Sequence, residues 1–154
     1  MIAVLQRADT ASVRVDGEIV GAIGKGLLIL LGVAEGDTRE HAEVLARKIL
    51  ACRIFCDEDE KKNLSVRDVN GSALVISNFT LMANCRRGNR PDYVGAAKSE
   101  VARPLYEYFT ELLARELHTV QTGRFGAHMD VSLQANGPVT ILLDSYALMQ
   151  KREK

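Results

Sequence analysis

The chain has 154 residues and zero formal net charge, with 47% hydrophobic and 26% charged residues and 3 cysteines. That length and balance suit one globular domain with a sizeable core, and they exclude a chain-wide field that attracts polyanions, so any nucleic-acid contact must rest on local patches. The odd cysteines (Cys52, Cys56, Cys85) exclude a simple disulfide framework, and no apolar run is long enough to cross a bilayer, so the expectation is a soluble protein of a reduced, cytoplasmic compartment with no membrane partner.

Ile2 to Gln6 reads as a buried strand, ended by Arg7, whose default at a strand end is to be solvated. Ala11 to Val15 alternates, Asp16-Gly17 is the strongest short hairpin signal, and Glu18 to Ile23 alternates again. Gly24-Lys25-Gly26 makes another turn. Leu27 to Val33 is nearly all aliphatic, which predicts a strand covered on both faces. Asp37 and Glu40 mark a helix start, an acceptor at the cap with a carboxylate three residues on. Ala42, Leu45, Ala46, Ile49 and Leu50 then lay one apolar stripe along that helix.

Arg53 to Cys56 returns to strand, Asp57 to Lys62 is a charged loop tip, and Leu74 to Phe79 is another apolar strand. The stretch Asn84 to Tyr93 carries Arg86, Arg87 and Arg90 around Gly88 and Pro91, so it is a loop. Its guanidiniums read either as a phosphate-binding patch or as a plain solvated basic loop. A second helix follows, with Val101, Leu105, Tyr108, Phe109 and Leu112 as its stripe and Pro104 either near its first turn or kinking it. Met129 to Leu133 and Val139 to Leu143 read as two strands. The turn formers between them, with Gly137-Pro138 at the centre, predict a hairpin closed by a proline. The fold class expected is α+β, with antiparallel, barrel-like β-sheets and two main helices packed against them. It forms a single domain over residues 1–145, followed by a charged tail over 146–154.

The chemistry is not announced by spacing. There is no Gly-x-Ser-x-Gly elbow, and Cys52 and Cys56 lack a second ligand pair, so no metal is expected. His41 reads as surface, and His128 is the one histidine near the glycine-rich and turn motifs. Thr80 is a conceivable nucleophile, but without an identifiable base its hydroxyl is a weak one. An enzyme built this way must lean on positioned backbone donors.

Six segments change the reading. They are Met1-Ile2-Ala3-Val4-Leu5-Gln6-Arg7, Arg53-Ile54-Phe55, Ser77-Asn78-Phe79-Thr80-Leu81, Arg87-Gly88-Asn89-Arg90-Pro91, Thr122-Gly123-Arg124-Phe125-Gly126-Ala127 and Gly137-Pro138-Val139-Thr140. In this order, over essentially the whole chain, they resemble the D-aminoacyl-tRNA deacylase family. The resemblance implies a homodimeric hydrolase with active sites at the subunit interface and no cofactor. Its substrates would be D-aminoacyl-tRNA and mischarged glycyl-tRNA, cut at the ester on the 3′-terminal adenosine; DNA is not an expected partner.

The same resemblance implies that Gly137 and Pro138, with a cis bond, enter the partner's site and exclude L-amino-acid side chains by backbone alone. Arg7 would hold that dipeptide in place. Ser77, Asn78, Phe79 and Thr80 would form the catalytic floor. Backbone N–H groups around Phe79 and Thr80 would hold the oxyanion, and the tRNA's own 2′-hydroxyl would assist the attack. Phe125 and Met129 would line the pocket beside the terminal adenosine, and Arg86, Arg87 and Arg90 would contact tRNA. Two departures stand out. Asn78 replaces the family's glutamine, and Ala135-Asn136 replaces an Asn-Asp pair, so an amide that could pin the turn is missing at 135. Two other readings stay open: an RNA-binding module without turnover, built on the arginine loop, and a threonine-nucleophile esterase on small substrates.

Overall fold

One long strand, β1 (Ile2–Val15), carries the sheet. It pairs antiparallel with β2 (Glu18–Ile23), β3 (Gly26–Gly32) and β8 (Asp130–Asp144). The computed structural model describes residues 1–150. The β1–β2 turn is the expected one: Asp16 and Gly17 take φ of 51° and 79°, the doubly left-handed turn whose twist matches the flanking strands. Arg7 does not end β1. It sits in mid-strand opposite Leu27 and is only 9% exposed, because backbone carbonyls at its far end satisfy the guanidinium.

The remaining elements are α1 (Arg39–Ala51), β4 (Phe55–Cys56), β5 (Lys62–Leu64), β6 (Ser72–Ser77), a 3-10 turn (Phe79–Met82), α2 (Ser99–Ala114), β7 (Val120–Thr122) and α3 (Ser145–Met149). β6 adds to β3, and β7 to β6, in parallel, so the sheet is mostly but not wholly antiparallel. The helices are the reason. α1 lies between β3 and β6, and α2 between β6 and β7, and a crossover of that length brings the chain back in its original direction. The strand path β2-β1-β3-β6-β7 then curls towards closure. Its two ends come so near that a Cβ added at Gly21 would lie 2.5 Å from the Thr122 carbonyl oxygen.

Alternation along β3 and β6 sorts the core into two faces. Leu27, Ile29, Leu31, Ala73 and Val75 pack under α1 and α2, while Leu28, Leu74 and Ile76 face the inside of the curl with Val13 and Ile23. On α1 the predicted stripe of Ala42, Leu45, Ala46, Ile49 and Leu50 is buried. On α2 the stripe is turned by one residue: Ala102, Leu105, Tyr106, Phe109 and Leu113 are buried, and Val101 is exposed. The two tyrosines decide this. Tyr106 donates its hydroxyl to the Val75 carbonyl at 3.0 Å inside the core, whereas Tyr108 reaches out to Glu43 at 2.6 Å. Pro104 lies inside the helix, in its second turn.

The start of α1 also differs from expectation. Thr38 is the cap, and the Thr38 N–H donates to His41 Nδ1 at 3.0 Å, so His41 is 8% exposed rather than a surface residue. Asp37 is released for another duty. It takes a hydrogen bond from the Met1 ammonium at 2.9 Å, and the same ammonium donates to Ser145 Oγ at 2.8 Å. Ser145 opens α3, so the segment expected to be a tail from 146 begins as a helix, and residues 151–154 lie outside the described residues.

The largest correction concerns Gly137-Pro138. No hairpin forms there. Both flanks belong to β8, and β1 is long enough to pair with both. Gln6 pairs with Thr140 and Ala8 with Ala135, so the single residue Arg7 faces residues 136–139 of β8. The surplus is thrown outward as a bulge holding Gly137, at φ 125°, and Pro138, and the bond between them is cis.

Candidate functional site

The parallel strands β3, β6 and β7 place their carboxyl ends on one side of the sheet, where ligands of such sheets usually sit. A cavity of about 930 Å³ opens there. Its floor is apolar, from Leu28, Leu30, Ile76 and Leu133, the inner face of the curl. One wall is the end of β6. Pairing with β3 stops at Ser77, the Asn78 N–H still donates to the Leu31 carbonyl at 2.8 Å, and the chain then winds into the 3-10 turn. A helical start leaves its first N–H groups without an internal acceptor. Those of Phe79 and Thr80 make no hydrogen bond among the described residues.

Ser77, Asn78, Phe79 and Thr80 all line this cavity, and so do Phe125 and Met129 from the segment joining β7 to β8. The Thr80 hydroxyl donates to Asn78 Oδ1 at 2.5 Å. An amide oxygen is no general base, and no aspartate or glutamate lines the cavity among the described residues. The ionisable groups present are Tyr93, Lys98 and His128. His128 stands at the rim, exposed, 3.7 Å from Asp130. Tyr93, Lys98, Ser99 and Gln6 were not singled out from the sequence as site residues. Tyr93 packs edge-on against Phe79 at 5.0 Å, and the loop before it gives no sequence signal for that contact.

Arg7, Gly137 and Pro138 do not line the cavity of their own chain. Arg7 Nε donates to the Asn136 carbonyl at 3.1 Å, and an Nη donates to the Ile54 carbonyl at 2.7 Å. The Asn136 side-chain amide donates to Asp9 at 3.0 Å. The residue before Gly137 is therefore gripped from both sides. A Cβ added at Gly137 would lie 3.2 Å from the Arg7 guanidinium and 2.9 Å from the Val139 nitrogen, which with the positive φ reserves the position for glycine. Arg86, Arg87 and Arg90 are exposed on the loop closed by the Asn84–Asp92 bridge, which leads into Tyr93 at the cavity.

Behind Phe125 lies Tyr106, at 5.7 Å between ring centres. Burial pushes the Tyr106 hydroxyl up from 10.0 to about 12, and the nearby Glu107 carboxylate pushes the same way. Between those values the folded protein keeps a proton that the unfolded chain has lost, so stability falls as pH rises through that window. Replacing Tyr106 by phenylalanine is expected to flatten this part of the alkaline limb in thermal melts, and a limb of unchanged steepness would contradict the assignment.

The model of the D-Tyr-tRNA(Tyr) deacylase family matches residues 4–144. A D-aminoacyl-tRNA deacylase of Clostridium acetobutylicum is 52% identical over 145 residues, covering 94% of this chain and 97% of that protein. One from Caldicellulosiruptor saccharolyticus is 54% identical over 145 residues, with coverage of 94% and 97%. Among solved structures, one described as c-Myc DNA Unwinding Element Binding Protein superposes with a TM-score of 0.89 at 42% identity, over 94% of this chain and 98% of that one. A probable eukaryotic D-amino acid tRNA deacylase superposes with a TM-score of 0.78 at 15% identity, over 92% and 97%, a likeness of fold alone.

Proposed function

This chain belongs to the D-Tyr-tRNA(Tyr) deacylase family, and from that premise we propose how its cavity hydrolyses D-aminoacyl-tRNA. The reaction is ester hydrolysis: water adds to the aminoacyl carbonyl, the bond to the ribose 3′-oxygen breaks, and that oxygen leaves with a proton. The terminal adenosine stacks at Phe125 and Met129, and the aminoacyl group reaches the β6 wall. The free N–H groups of Phe79 and Thr80 hold the oxyanion. The observation that carries this reading is the absence, among the described residues, of any carboxylate lining the cavity, together with a threonine hydroxyl spent on an amide. Among the described residues no carboxylate lines the cavity and no base bonds the Thr80 hydroxyl, so the part of activating group falls to the ribose 2′-hydroxyl beside the ester.

Chirality is read by the partner subunit. The Gly137–Pro138 bulge does not line its own cavity and lies exposed on a strand that also exposes Leu142 at 65%. A second copy packed on β8 receives the bulge, covers that apolar surface, and has its cavity closed by main chain. Main chain beside the α-carbon rejects an L side chain by steric overlap and admits D side chains. Glycine has no side chain to reject, so glycyl-tRNA is a substrate as well.

Deacylation of D-tyrosyl-tRNA and L-tyrosyl-tRNA tests the reading: the D ester is lost and the L ester is spared. Thr80→Ala is expected to keep kcat within about tenfold, since a lost neutral hydrogen bond is worth roughly 1 kcal/mol. A tRNA ending in 2′-deoxyadenosine is expected to lose at least ~10²-fold, the lower range for general acid–base assistance. Near-complete loss in Thr80→Ala with tRNA binding intact would instead make Thr80 the nucleophile.

A further inference from the structure

Phe125 borders two spaces. Besides the main cavity it lines a shallow groove of about 450 Å³ between α2 and the segment after β7, where Arg103 and Arg124 also lie. The Arg103 guanidinium rests over the Phe125 ring, 4.8 Å from its centre. A guanidinium held on an aromatic face spends none of its N–H donors, which stay free for a bidentate oxygen ligand. Neither Arg103 nor Arg124 forms an ion pair among the described residues. The groove does hold acids. Glu111 is committed to Arg115 at 2.9 Å, and Glu107 pairs with neither arginine. The cavity's aromatic ring therefore adjoins two arginines with uncommitted donors.

That pairing of a stacking ring with an adjacent cationic groove is how proteins hold single-stranded nucleic acid. We propose that Arg103 and Arg124 bind a backbone phosphodiester of the RNA 3′ strand, immediately before the adenosine stacked at Phe125. This rests on the function proposed above and adds a subsite separate from the Arg86/Arg87/Arg90 loop. It sets the direction of the strand: the RNA leaves the cavity over Phe125 towards α2. The groove supplies binding to the nucleic acid and no contact to the ester.

The test compares two substrates, D-tyrosyl-tRNA and the 3′-O-D-tyrosyl ester of adenosine, which has no phosphate. In the double variant Arg103→Gln, Arg124→Gln, the loss of kcat/KM on the tRNA is expected to exceed the loss on the adenosine ester by about tenfold or more, and to lie in KM. The slope of log KM against log salt should become shallower by about 1. The charge-keeping variant Arg103→Lys, Arg124→Lys should recover most of that slope. Equal losses on the two substrates, or no loss on the tRNA, would overturn the subsite and leave the deacylase reading standing. If the wild type spares the adenosine ester, the salt slope alone decides. A wild type that spares D-tyrosyl-tRNA overturns the parent reading and this one together.

Discussion

Replacing Arg7 with alanine is expected to cut kcat/KM on D-tyrosyl-tRNA by about 10²-fold, the usual loss when a reacting geometry slips by about 1 Å. The reason lies in the sheet. Residues 136–139 are surplus to the β1–β8 ladder, so no strand pairing fixes where the bulge points. Arg7 fixes it instead, bridging Asn136 on one side and Ile54 on the other, with a second hold on Asn136 from Asp9. Removing the side chain leaves two carbonyls without donors and a hole between β1 and β4, at a cost of about 2–4 kcal/mol. Arg7→Lys is expected to recover part of the stability and little of the activity, because a point-like ammonium cannot span both carbonyls as a planar fork does. The two variants, assayed for D/L selectivity beside chemical denaturation, separate anchoring from folding. Full selectivity in well-folded Arg7→Ala would show that the bulge holds itself.

Asp37→Asn is expected to destabilise the fold by about 3–5 kcal/mol, because it leaves a buried ammonium without its counter-charge. Both members of the pair, 2.8 Å apart, are 0% exposed. Asp37 also accepts from the Ala34 N–H at 2.7 Å, so it ties the segment after β3 to the first residue of β1. Ser145→Ala removes one neutral acceptor from the same ammonium and is expected to cost less, about 1.5–3 kcal/mol. Urea denaturation of the pair checks the ratio. Equal midpoints for the two variants would place the stabilisation in hydrogen bonding rather than charge.

What could be read from the sequence was local. The Asp16-Gly17 hairpin declares itself within a few residues, and so does the α1 stripe, because each depends on a turn or a helical period. Local preference fails as a guide where distant partners override it. Gly137-Pro138 has the chemistry of a turn, yet β1 pairs with both of its flanks and straightens it into a bulged strand. Arg7 looks like a strand end until the Ile54 and Asn136 carbonyls are brought to it. His41 looks solvated until Thr38 and the Tyr146 ring, 4.5 Å away, close over it. Tyr106 and Tyr108 are interchangeable by composition, and only the Val75 carbonyl distinguishes them. The cavity residues Ser77 to Thr80, Phe125 and Met129 were named by resemblance, and no spacing rule could have joined segments that meet only where parallel strands end.

The seam between β1 and β8 has a kinetic side. Ile2 lies opposite Asp144, so β1 is synthesised long before its long partner β8 exists. Until then β1 can zip only to β2 and β3, leaving one flank open to stray pairing with other nascent molecules. Refolding should therefore run on the slow side for this size, around milliseconds to seconds, and should be more prone to clumping at high protein concentration than the finished molecule is.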